Sequence, residues 1–191
     1  DDEDNKIIPE LLKSVDQGNP LAARCYARPR VRQKGQAWLE HHLGQRSADE
    51  RTALQDAALC LGLLDTLESW EFVEGLGSEI DNQYWRWNSP YVDDVDAVEF
   101  AARKLMGVNR AHAALDLVEY KGKELPTRLL YEYLVQLVQE LLDSPETARR
   151  RRSLDYHIEK LLTRLDNAAD VSQAEIAKLE WPLVSLLRWG K

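Results

Sequence analysis

Residues 154–166 read Leu154-Asp155-Tyr156-His157-Ile158-Glu159-Lys160-Leu161-Leu162-Thr163-Arg164-Leu165-Asp166. Leu154, Ile158, Leu161, Leu162 and Leu165 fall at i, i+4, i+7, i+8 and i+11, one stripe of a 3.6-residue period, which predicts an amphipathic helix over 153–166. Glu159, Lys160 and Arg164 occupy its outer face. Ser172-Gln173-Ala174-Glu175 then forms a capping-box pattern, in which hydroxyl and carboxylate satisfy each other's orphan N–H groups. Ile176, Leu179, Leu183, Leu186 and Leu187 continue it as a second helix, with Pro182 expected to bend it near Trp181. The short link Asp166 to Val171 makes 153–188 an antiparallel helical hairpin.

The same pattern recurs upstream. Val95, Val98, Ala102 and Leu105 predict one helix, and Ala111, Ala114, Leu115 and Val118 the next, giving a hairpin over 94–120. Gly107 and Asn109 between them suit a left-handed C-cap. Residues 126–142 carry a wide apolar arc and read as a central helix. Residues 48–75 read as one long helix after a capping box at Ser47-Ala48-Asp49-Glu50, ended by Gly75-Leu76-Gly77. Shorter helices are expected over 7–15 and 37–43, with Asn19-Pro20 as a cap and first-turn pair. Pro29 is expected to leave Arg24 to Lys34 partly irregular.

Composition supports the same class. Of 191 residues, 30 are Leu and 19 Ala, against five Ile and five Thr, so strong helix formers outweigh β-branched residues. With 44% hydrophobic and 30% charged residues, the balance is that of a globular chain. We read residues 1–191 as one all-α domain of about eight helices in antiparallel hairpins, as an α-solenoid-like array or an irregular bundle. The 25 cationic and 33 acidic residues leave a net charge of −8 and a pI near 5.1, which argues against general phosphate binding. No apolar run approaches the ~18 residues that cross a bilayer. The opening Asp1-Asp2-Glu3-Asp4 is the reverse of a basic signal segment, so a cytoplasmic location is expected. The only methionine is Met106, which suggests a piece of a longer chain.

The hairpin at 94–126 resembles the tetratricopeptide pattern. Aligning Ala102 with the small residue of its first helix puts Ala114, Val118 and Pro126 at the later matching positions, while Val98 and Lys121 depart from it. Tyr156 to Asp166 and Ala177-Lys178-Leu179-Glu180 resemble the leucine-rich helical arrays, of tetratricopeptide or HEAT kind, found in large multi-domain bacterial proteins. The resemblance implies a sensor or scaffold role with any catalytic domain elsewhere.

Chemistry-bearing residues are sparse. Cys25 and Cys60 have neither redox nor zinc spacing and read as reduced. His41 and His42 are adjacent, and adjacent helical residues point about 100° apart, so they do not converge on one ion. His112 and His157 stand alone, and no metal ligand or cofactor is assigned. A zinc site built in three dimensions from His41, His42 and distant carboxylates is the alternative. Asp166 to Asp170 lacks the glycine and bidentate glutamate of an EF-hand loop, with Val171 and Ala177 in those places. No serine-nucleophile elbow or phosphate loop occurs.

Two features suggest contact with a partner. Tyr84-Trp85-Arg86-Trp87-Asn88-Ser89-Pro90-Tyr91 concentrates aromatics in an expected connection or short helix over 77–92. Such residues are interface anchors or a satellite core. Asp93, Asp94 and Asp96 beyond it read as helix N-caps. Arg149, Arg150, Arg151 and Arg152 form a cationic run. The expected function is a non-catalytic helical module holding a protein partner, or other domains of its own chain, through Tyr84, Trp85, Trp87 and Tyr91, rimmed by Arg149–Arg152. The alternatives are a regulatory domain contacting nucleic acid through the arginines, and an enzyme whose site assembles only on folding.

Overall fold

The computed structural model describes residues 2–45, 52–121, 123–144 and 154–188. The described residues form eleven α-helices and no strand, more helices than the sequence reading expects. The helices group into two compact units, Asp1–Ser89 and Pro90–Lys191.

The first unit contains α1 (Asp2–Asp16), α2 (Pro20–Lys34), α3 (Gln36–Gly44), α4 (Ala53–Cys60), α5 (Leu67–Gly75) and α6 (Ser78–Trp87). Helix α4 is its centre, packed against α1, α2, α3 and α6. Five consecutive residues, Asp56 to Cys60, are buried, as expected of a helix enclosed on every side. Ala57 and Ala58 there, and Ala23 and Ala27 on α2, keep the backbones close.

Two expectations fail in this unit for identifiable reasons. The helix expected over 48–75 is interrupted after Cys60, and Thr66 opens α5 by accepting a hydrogen bond from the Ser69 N–H. The interruption sits at Gly62, where an added Cβ would lie 2.5 Å from the Ala27 Cβ and 2.9 Å from its carbonyl carbon. The Ser47–Glu50 capping box lies outside the described residues, and Thr52 caps α4. Pro29, in turn, does not break α2, which runs unbroken to Lys34. Pro29 and Cys25, whose carbonyl loses its partner, lie on the solvent side, and Ala23, Ala27 and Val31 hold the opposite stripe in the core.

The second unit contains α7 (Val95–Gly107), a 3-10 turn (Ala111–Ala114), α8 (Leu115–Lys121), α9 (Thr127–Asp143), α10 (Leu154–Leu165) and α11 (Gln173–Arg188). Helix α9 is central, touching α7, the 3-10 turn, α10 and α11. Leu129, Leu130, Tyr133, Leu134, Leu137, Val138 and Leu141 make the wide buried arc read from the sequence. The second half of the 94–120 hairpin departs from two regular helices, being a 3-10 turn followed by a seven-residue helix. Asn109 adopts the left-handed conformation at φ 56°, and the Arg110 N–H reaches back to the Leu105 carbonyl at 2.8 Å. Asp94 caps α7 through the Ala97 N–H, as expected of that acidic cluster. Ser172 and Glu175 form the reciprocal box that opens α11, which runs on through Pro182.

Gly62→Ala is expected to destabilise the protein by about 1–3 kcal/mol, because the methyl meets backbone that has no room to move. A urea midpoint that falls at unchanged slope checks this; an unchanged midpoint would mean that α2 and α4 separate freely.

Candidate functional site

The aromatic segment falls on α6, and helical periodicity splits it. Ile80, Asp81, Tyr84 and Trp85 form the inward stripe, so Tyr84 is 1% exposed and Trp85 fully buried. The Trp85 ring packs edge-on against Trp70 at 5.2 Å and against Tyr84 at 5.4 Å. Its indole N–H donates to Asp81 at 3.0 Å, and Asn88 donates to the Tyr84 hydroxyl at 3.0 Å. Burial, with Asp65 nearby, pushes the Tyr84 phenol well above its usual range. Of the two readings open for these residues, Tyr84 and Trp85 are core, since a ring with no accessible surface offers a partner nothing to touch. Trp87 is half-buried against Val15, Ala23 and Ala58. Tyr91 alone of the four stands in solvent, 83% exposed. Arg149, Arg150, Arg151 and Arg152 lie outside the described residues.

The most developed polar constellation is one that sequence reasoning missed. Asp4, in the first turn of α1, is buried among donors from α2 and α3. Its Oδ1 accepts from the Tyr26 hydroxyl at 2.8 Å and from Arg30 Nε at 2.5 Å. Its Oδ2 accepts from Trp38 Nε1 at 3.0 Å and Lys34 Nζ at 3.3 Å, with His42 Nε2 at 3.8 Å. Burial alone would raise the Asp4 carboxyl, but hydrogen bonds from Trp38, Arg30, Tyr26 and Lys34 outweigh it and hold the group well below its ordinary 3.8. Burial and the hydrogen bond to Asp4 push the Tyr26 phenol up to about 12. Burial depresses His42 below its ordinary 6.5, against the pull of Asp4. An aspartate so stabilised as an anion is a poor proton acceptor; the arrangement binds charge and holds geometry.

Two further carboxylates in the second unit act locally. Glu140 on α9 accepts from the N–H groups of Ala111 and His112 at 2.7 and 2.8 Å and lies 2.9 Å from His112 Nδ1, which satisfies the start of the 3-10 turn. Glu119 on α8 meets Lys160 and His157 of α10. Among the described residues no group of three or more His, Cys, Asp or Glu side chains is placed to hold a metal ion, including around His41 and His42. Nor is any described helix long and apolar enough to cross a membrane.

The other large exposed apolar side chains include Trp181 and Val184 of α11. Trp181 is 82% exposed. Ala177, Trp181 and Val184 recur at i, i+4 and i+7, on the side of the helix opposite the buried Ile176, Leu179 and Leu183.

No protein-family model, curated protein or solved structure matches the chain.

Trp85→Ala is expected to cost about 3–5 kcal/mol of stability, the value for emptying a large aromatic site in a core, whereas Tyr91→Ala stays within about 0.5 kcal/mol. Chemical denaturation of both variants checks the division of the segment into core and surface. Acid should weaken the first unit in two phases. A group whose pKa is lowered on folding contributes stability above its unfolded value and loses it as pH falls. His42 therefore sets a loss beginning below its ordinary 6.5, and Asp4 a second one beginning below 3.8. An acid titration followed by the Trp38 indole N–H resonance should lose its upper phase in His42→Gln and its lower phase in Asp4→Asn.

Proposed function

We propose that the protein is a non-catalytic helical interaction module that holds an apolar segment of a protein partner on the outer face of α11. One observation carries the reading. A tryptophan, the residue with the most apolar area to bury, faces water at 82% exposure with Val184 one turn on, on a helix that buries Ile176, Leu179 and Leu183 on another stripe. Rigid aromatic side chains of this kind dominate binding energy where they enter a partner's pocket, because they bury much area while immobilising few rotamers. Tyr91 is a second exposed anchor, on the same unit. With Tyr84 and Trp85 buried, this reading rests on the exposed Trp181, Val184 and Tyr91 in place of α6. Helical repeats of the kind the sequence resembles present partner-binding faces in the same way, on helices whose other side supplies the core.

The described polar constellations fit a binding role better than a catalytic one. Asp4 accepts several hydrogen bonds from fixed donors and is tied down as an anion rather than poised to move a proton, and Glu140 is occupied by the N–H groups that open the 3-10 turn.

Trp181→Ala should leave the melting transition nearly unchanged and lower affinity for the partner at least about tenfold, the usual loss at an aromatic anchor. Crosslinking of the wild-type protein in its native lysate identifies the partner, and titration of that purified partner against both forms gives the ratio. Equal affinity of the variant and wild type would remove α11 as the binding face.

A further inference from the structure

Two neighbouring helices of the first unit carry opposite charge on their outward sides. Arg24, Arg28 and Arg32 recur at i, i+4 and i+8 along α2, a stripe about 12 Å long on a helix that has no acidic residue. Glu68 and Glu71 are exposed on α5, on the side opposite its buried Ser69, Trp70 and Val73, and α5 has no basic residue. The two stripes lie side by side, because Asp65 directly precedes the Thr66 cap of α5 and reaches Arg28 at 3.6 Å. Arg24 and Arg28 both draw on that one carboxylate. Among the described residues Arg32, Glu68 and Glu71 enter no ion pair. Three arginines against one aspartate thus leave α2 an outward excess of positive charge, with two unpaired glutamates on the helix next to it. Leu64, adjoining Asp65, adds an apolar side chain that is 40% exposed where the two stripes meet.

We infer that this face is an interface between two copies of the chain, each laying its α2 stripe on the other's α5 stripe about a two-fold axis near Asp65. A surface whose positive half adjoins its negative half is self-complementary, since a two-fold rotation sets each half on its opposite. The same rotation brings the two Leu64 side chains together. A phosphate polymer fits the face less well, because Glu68 and Glu71 would lie against it. Exposed ion pairs each add little affinity, so the association is weak and reversible. The net charge of −8 does not prevent it: charges beyond a Debye length, about 8–10 Å in physiological salt, are screened, whereas the facing stripes touch. The face belongs to the first unit and stands whether or not Trp181 of the second binds a partner.

Sedimentation of the full-length protein over about 0.01–1 mM, the range in which weak complexes form, tests the inference. The weight-average mass should rise from 22.0 kDa toward twice that value in about 0.1 M salt and fall back in about 1 M salt, where the Debye length is about 3 Å. Arg24→Glu/Arg32→Glu and Glu68→Lys/Glu71→Lys should each weaken self-association at least about tenfold, and an equimolar mixture of the two should restore it, each reversed stripe then meeting its opposite. Arg32→Glu alone replaces the first variant should the loss of Arg24 beside Asp65 disturb the fold, and its mixture should restore part of the affinity. Trp181→Ala should change none of this. A monomer throughout the range, self-association indifferent to the reversals, or a mixture no tighter than either variant alone would overturn the inference. Loss of self-association in Trp181→Ala would overturn it too, and would move the contact to α11.

Discussion

Helix α2 carries Arg24, Arg28, Arg30, Arg32 and Lys34 and no acidic residue, yet buries Ala23, Ala27 and Val31 in the core of the first unit. Cations drawn close to a core are costly unless anions come with them. The fold meets that constraint from both flanks. Asp4 arrives from α1 beside Arg30 and Lys34, and Asp65 arrives from the turn between α4 and α5, 3.6 Å from Arg28. Burial raises the Asp65 carboxyl, against Arg28 and Arg24. The two aspartates therefore do more than neutralise charge: each fixes which segment lies on which side of α2. The turn that delivers Asp65 is also the one that interrupts the helix expected over 48–75.

The second unit solves a related problem with Glu140. A 3-10 turn begins with N–H groups that have no partner within the turn, and Ala111 is fully buried, so water cannot serve it. Glu140 reaches across from α9 to take two of those N–H groups, and Tyr133 from the same helix donates to the Ala111 carbonyl at 3.1 Å. Helix α9 is thus both the largest apolar surface of the unit and the source of the polar groups that make an irregular segment tolerable beside it.

Apolar spacing made the helices legible. The stripes at 154–165, 129–141 and 95–105, the cap at Asp94 and the box at Ser172–Glu175 all stand in the structure as the spacing implies. What was not legible depends on residues far apart in the chain. Gly62 lies where a side chain would meet Ala27, and Pro29 sits on the solvent side of a helix whose opposite stripe is packed; neither relation is visible from local sequence. The Asp4 site was hidden for the same reason, since its hydrogen-bond donors lie 22 to 34 residues from the acid they surround. The acidic run Asp1 to Asp4 has the composition of a solvated tail. The clue was present in α2 instead, where five cations without an acid imply carboxylates supplied from elsewhere.

The tryptophans show how position outranks composition. Trp85 lies among other aromatics, yet Ile80, Asp81, Tyr84 and Trp85 follow a helical period and close on the core together. Trp181 stands apart from other aromatics, and its sign is a broken pattern. The stripe Ile176, Leu179, Leu183 already gives α11 an inward face, so a large apolar residue at 181 has no place in it and must project outward. Local density of aromatic residues marks a place rich in apolar area without saying which way that area points. A residue out of phase with its own helix does say so: Trp181 on α11 points to solvent, while Tyr84 and Trp85 on α6 close on the core.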